Sequence, residues 1–161
     1  MTKAAALSLL AVTLVASSAC ARDTAQPASR EFELGELRVQ ATVPAGWEAL
    51  DQGAQKRFRK GESEIVLQNL GKADWDKALK ELSDDIRRDL KSRREISVDG
   101  NDAVDIETWN RLDHTWPQRL LFVRIGEDVL ALHTPRLADE ATAAAFETIR
   151  DSLHFRASVR R

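Results

Sequence analysis

Three histidines, one cysteine and a few neighbouring carboxylates are the residues of this chain whose types could carry chemistry. His114, His133 and His154 are scattered, without the paired spacing that lets two imidazoles on one helix share a metal ion. A metal site could assemble only in space, from His114 and the adjacent Asp113, and surface or hydrogen-bonded histidines are the better reading. Asp84-Asp85 and Glu62 with Glu64 have the form of carboxylate pairs for acid–base work. They fall on a polar helix face and in a hairpin turn, where carboxylates are solvated. The chain holds no G-x-S-x-G, no P-loop and no G-x-G-x-x-G. No catalytic residue, no metal and no cofactor is therefore expected, and the protein is read as a non-enzyme.

Two stretches suit recognition better than catalysis. Trp109-Asn110-Arg111-Leu112-Asp113-His114-Thr115-Trp116-Pro117 sets two tryptophans about a hairpin tip, and exposed Trp with Arg is typical of binding surfaces. Trp109, Arg111, His114 and Trp116 are the candidate partner-binding residues. The alternative places Trp109 in the core and Trp116 under the loop. The second stretch, Lys56-Arg57 and Arg59-Lys60 together with Arg93-Arg94, could face anionic lipid headgroups or lipopolysaccharide. Glu62, Glu64 and Glu95 dilute its charge, which favours an ordinary solvated surface.

The cysteine belongs to a different pattern. Lys3 gives a short positive start, and Ala4 to Ala16 forms an apolar run too short to span a hydrocarbon core, which takes roughly 20 residues. That is the form of an export signal. Ser17-Ser18-Ala19 leads directly into Cys20 and resembles the lipobox of bacterial lipoproteins, with Ser17 where leucine is usual. The resemblance implies cleavage before Cys20 and its lipidation, hence a membrane anchor, and Ala21 implies outer-membrane sorting. Ordinary cleavage at a small-x-small site, leaving a soluble periplasmic or secreted protein, is the alternative. Residues 1–19 are thus expected to be signal peptide, 20–31 a flexible tether, 32–156 one folded domain and 157–161 a basic tail.

The bulk numbers agree with one globular domain. Of 161 residues, 31% are charged and 43% hydrophobic, so the mature part should fold. A net charge of −2 gives no electrostatic footprint for nucleic acid. With a single cysteine, no internal disulfide can form.

The elements that must position these residues follow from periodicity. Phe32, Leu34, Leu37, Val39, Ala41 and Val43 alternate at period two around Gly35, as a strand pair with one buried face does. Gln55–Arg59 and Glu64–Gln68 form a second pair about Gly61. Asp74 caps a helix whose stripe is Trp75, Leu79, Leu82, Ile86 and Leu90. Strands follow at Ile96–Val98, Ala103–Leu112, Arg119–Ile125 and Val129–Thr134, with Leu120-Leu121-Phe122-Val123 apolar throughout like a strand covered on both faces. Ala138–Leu153 is the second helix, and Leu153-His154-Phe155 closes the domain.

Val43-Pro44-Ala45-Gly46-Trp47 is similar to the x-Pro-x-Gly-Trp of the PsbP-like family. Val98-Asp99-Gly100-Asn101-Asp102-Ala103 resembles that family's v-x-G-x-x-a turn, and Ser152-Leu153-His154-Phe155 its S-f-x-F ending. The resemblance implies an α+β fold, an α-β-α sandwich with a mainly antiparallel central sheet flanked by two main helices. It further implies scaffolding or protein binding. The expected function is thus an envelope lipoprotein acting as a binding module for a protein partner, in narrower form an immunity-type inhibitor of a toxin or hydrolase. Small-molecule or lipid binding in a pocket between sheet and helix is the alternative, and an enzyme of unrecognised type the less favoured one.

Overall fold

The period-two pattern around Gly35 becomes a hairpin. In a computed structural model describing residues 26–83, 88–110, 117–135 and 139–157, β1 (Ala28–Leu34) pairs antiparallel with β2 (Leu37–Val43). Gly35 has φ +67°, a left-handed conformation that costs glycine little. The chain's last strand, β10 (His154–Ala157), pairs with the other side of β2 and completes a three-stranded sheet. Pairing reaches back to Ala28↔Val43, so residues 28–31, expected in the tether, are strand, and so is Ala157, expected in the tail.

The second sheet has seven strands in the order β3-β4-β5-β9-β8-β7-β6. These are β3 (Glu48–Gln52), β4 (Gln55–Lys60), β5 (Ser63–Lys72), β6 (Arg88–Val98), β7 (Asn101–Asn110), β8 (Gln118–Ile125) and β9 (Asp128–His133), with every described pairing antiparallel. Helix α1 (Trp75–Ser83) lies between β5 and β6 in the chain, and α2 (Glu140–Asp151) between β9 and β10. Strand β3 departs from expectation: none of its residues is fully buried, so no alternation marks it, and it forms by pairing with β4 alone.

Two cores lie on the two faces of this sheet. On one face Phe58, Ile65, Leu67, Leu121, Val123, Leu130 and Leu132 meet the inner residues of β1 and β2 and the Phe146 and Ile149 stripe of α2. Trp47 is buried here too. On the other face Val104, Ile106, Leu120, Phe122, Val129 and Ala131 pack under Leu79 of α1. β8 therefore contributes alternate residues to both cores, as its unbroken apolar run requires. The result is the α+β sandwich expected, with one helix on each side of a mainly antiparallel sheet.

The first helix starts at the expected cap, Asp74, and the second starts at Glu140 behind a cap, Asp139, that was expected inside it. Asp74 Oδ1 accepts from the Lys77 N–H at 3.0 Å, and Asp139 Oδ1 from the Thr142 N–H at 2.7 Å. The end of the first helix does not agree. Leu90, expected on the stripe, sits in β6 and is 59% exposed. A spacing of four satisfies both a helical period of 3.6 and a strand period of two, so Leu82, Ile86 and Leu90 could not reveal where one gave way to the other. Pairing of Arg88–Leu90 with Thr108–Asn110 of β7 decides it.

Candidate functional site

The last β7–β8 pair is Thr108↔Gln118, whereas the β6–β7 ladder continues through Asp89↔Trp109 and Arg88↔Asn110. Trp109 thus stands on a two-stranded ribbon extending past β8. Its ring is half-buried and belongs to neither core. Lys91 Nζ lies 4.3 Å from the ring centroid and donates to Glu107 Oε1 at 2.7 Å. A cation over an indole at such a site contributes about 0.5–1 kcal/mol and holds the ring in one orientation. The register shift between Leu90 and Ser92 puts Lys91 in place for this, while the opposite side of the ribbon offers the exposed Leu90. Arg111, His114 and Trp116 lie outside the described residues, as do Asp113, Asp84-Asp85 and Cys20.

Farther along the same face of β7 is a cluster that period-two reading does not find. Asp105 is 2% exposed and faces three guanidinium groups. Arg94 of β6 donates to its Oδ2 at 2.8 Å, Arg119 of β8 at 3.1 Å and Arg150 of α2 at 3.2 Å. Arg119 also reaches Glu147 at 3.4 Å and lies 5.1 Å from the Phe146 centroid. Arg150 donates to Asp151 at 2.7 Å, and that carboxylate is the main cause raising its pKa. With three arginines donating to one buried carboxylate, the cluster joins α2 to three strands.

The remaining candidates are likewise taken up by the fold. His154 Nδ1 is 3.0 Å from Asp99 Oδ1, and the Phe155 N–H donates to Asp99 Oδ2 at 2.7 Å. Those bonds, the backbone one first, hold the Asp99 carboxyl below its ordinary range. His133 sits on β9 in the other sheet, in register with Val66 and Leu120. The described histidines are not brought together, and among the described residues no group of three His, Cys, Asp or Glu could hold a metal. Burial pushes the Glu64 carboxyl upward, but hydrogen bonds from Arg59 and Arg57 outweigh it and leave the pKa lowered.

The basic stretch of β4 does not form a patch. Strand alternation sends Lys56 inward, where it is 3% exposed and bonds Asp51 and the Gly53 carbonyl. Arg57 and Arg59 point the other way and share Glu64 at 3.1 and 2.8 Å. The expectation of a solvated cluster therefore fails at Lys56. Arg94 donates to Asp105 and otherwise stays on the surface, its side chain 61% exposed.

The architecture is of the PsbP-like kind. Cyanobacterial PsbP (CyanoP) from Synechocystis superposes with a TM-score of 0.57 at 13% identity, covering 82% of this chain and 94% of that one. A protein from Bacteroides thetaiotaomicron gives 0.54 at 14% identity over 80% of this chain; the chain spans about half of that protein, 51%. A weaker overlap, 0.49 at 13% identity over 80% of this chain and 91% of the other, is with LpqN of Mycobacterium tuberculosis, a protein involved in cell envelope biogenesis. No family model matches the sequence, and no curated protein does. At such identities the likeness is one of fold, and a fold hosts many functions.

Proposed function

We propose that this protein is an exported lipoprotein of the cell envelope, anchored through Cys20, whose PsbP-like domain binds a protein partner without catalysing a reaction. The observation that carries the binding role is the place of Trp109. A large aromatic side chain outside both cores, oriented by Lys91 on a projecting ribbon, is what an interface anchor requires. Arg111, His114 and Trp116 follow it directly in the chain and would extend the same contact. The export signal and lipobox of residues 1–20 support the envelope assignment, and sorting to the outer membrane rests on Ala21. An immunity-type inhibitor is a narrower form of this role.

The test is a photo-reactive benzoylphenylalanine in place of Trp109, expressed in cells that carry the export pathway. One discrete protein adduct is expected, and Trp109→Ala should lose at least tenfold of that partner in co-purification while its melting temperature stays close to that of the parent. Absence of any adduct, or undiminished co-purification by Trp109→Ala, would refute the assignment of this surface.

A further inference from the structure

The α1 face of the large sheet presents, near the β8–β9 turn, a row of three cross-strand neighbours. Arg124 of β8 pairs with Val129 of β9, and the Ala103↔Val123 register puts Asp102 of β7 on the other side of Arg124. Trp75, the first residue of α1, is half-buried against the core beneath and divides the space above into two clefts. One, of about 430 Å³, is lined by Trp75, Asp76, Arg124, Glu127 and Val129 among others. The other, of about 290 Å³, has Trp75 as its shared wall, with Arg93, Glu95, Asp102 and Val104. Both lie near the size range of small-molecule sites, about 300–1,000 Å³.

The lining decides what such a site would take. Each cleft sets one guanidinium among carboxylates, and among the described residues no ion pair joins Arg93 or Arg124 to a partner. Glu127 is engaged by Lys72 at 2.6 Å. Asp76, Glu95 and Asp102 remain, so carboxylates outnumber the two arginines. A charged lining does not suit an acyl chain, because its polar groups would lose water and gain nothing in return. A ligand bearing one carboxylate and more than one ammonium group would satisfy both signs, and its aliphatic stems could lie along the indole.

We propose that the twin clefts about Trp75 bind a small basic amino-carboxylate, of the size of a lysine-containing dipeptide. Its carboxylate is held by Arg124 and its ammonium groups by Asp76, Asp102 and Glu95, on either side of the indole. This site lies on the face of β7 opposite Trp109, so it stands or falls independently of the protein-binding surface.

Isothermal titration of the full chain, solubilised in neutral detergent, with lysyl-lysine tests it. Saturable binding at one ligand per chain is expected, weakened at least tenfold by Arg124→Gln and by Asp102→Asn. Trp75→Phe should weaken it several-fold. Lysyl-lysine blocked by N-acetylation and C-amidation should bind at least tenfold more weakly. Thermal melts identify any variant that fails to fold, and Arg124→Ser and Glu95→Gln, both exposed changes, then carry the comparison. No saturable binding by the parent would overturn the proposal. Equal binding by the folded variants, or by the blocked dipeptide, would overturn it as non-specific ion attraction.

Discussion

Asp105 is the residue on which the joint between α2 and the sheet depends. Its carboxylate is 2% exposed, and two of its three guanidinium partners, Arg119 and Arg150, have side chains only 11% and 17% exposed. Removing one member of a buried charged cluster leaves the others without a counter-charge, which typically costs about 3–5 kcal/mol. Asp105→Asn keeps the shape and can still hydrogen-bond, so the lower end, about 3 kcal/mol, is expected in urea denaturation. Arg94→Gln should cost much less, within about 1 kcal/mol, because that side chain is 61% exposed and water replaces its contact. Equal losses from the two changes would show that the carboxylate is not the centre of the cluster.

At the scale of elements, the turn between β6 and β7 is tied to β10 in the other sheet by one side chain. Asp99 accepts the Phe155 N–H at 2.7 Å and lies 3.0 Å from His154 Nδ1, so the ends of two separate sheets are fastened together. Its pKa is lowered from 3.8 by these bonds, led by the backbone one. A carboxyl with a depressed folded-state pKa contributes stability that is present above the unfolded value and is lost as pH falls through the folded one. Asp99 has φ +51°, a conformation that asparagine tolerates, so Asp99→Asn isolates the charge from backbone strain. The stability gap between parent and variant should be constant at neutral pH and shrink as pH drops below about 3.8. A gap that widens in acid would contradict the tie.

That tie joins two positions the sequence displayed without joining them. The turn at Asp99-Gly100 and the closing segment at His154-Phe155 were both legible from residue type, as was the cap at Asp74. Their contact spans 55 and 56 residues of chain, which no local pattern encodes. Asp105 was hidden for a related reason. Between Val104 and Ile106 it reads as the outward position of a half-buried strand, whereas β7 is covered on both faces and the outward side is the α2 side. Strand β3 escaped because it buries nothing fully, and Leu90 because one spacing serves two periods. Within the candidate surface, Trp109 stood out in the sequence as a candidate partner-binding residue, but its neighbour Lys91 did not. The register shift that brings Lys91 to the ring is a property of the β6–β7 pair.

On the scale of the whole molecule, the start of β1 bears on how the domain would be held at a membrane. Because the described pairing begins at Ala28, seven residues lie between Cys20 and the folded sheet, and the eight Cα–Cα steps from Cys20 to Ala28 span at most about 29 Å fully extended. Under the proposed lipidation this is a short leash, and the domain would work close to the bilayer surface. Both described cores are built from residues between Phe32 and Phe155. Anchoring and folding should therefore separate cleanly. Cys20→Ser is expected to move the protein from the membrane fraction to the soluble one and to remove the acyl mass found on the parent. Its melting temperature should stay within about 2 °C of the detergent-extracted parent, since the described cores begin at Phe32. Retention of Cys20→Ser in the membrane fraction would overturn the lipid anchor, and a large fall in melting temperature would mean that the first residues of the mature chain contribute to the fold.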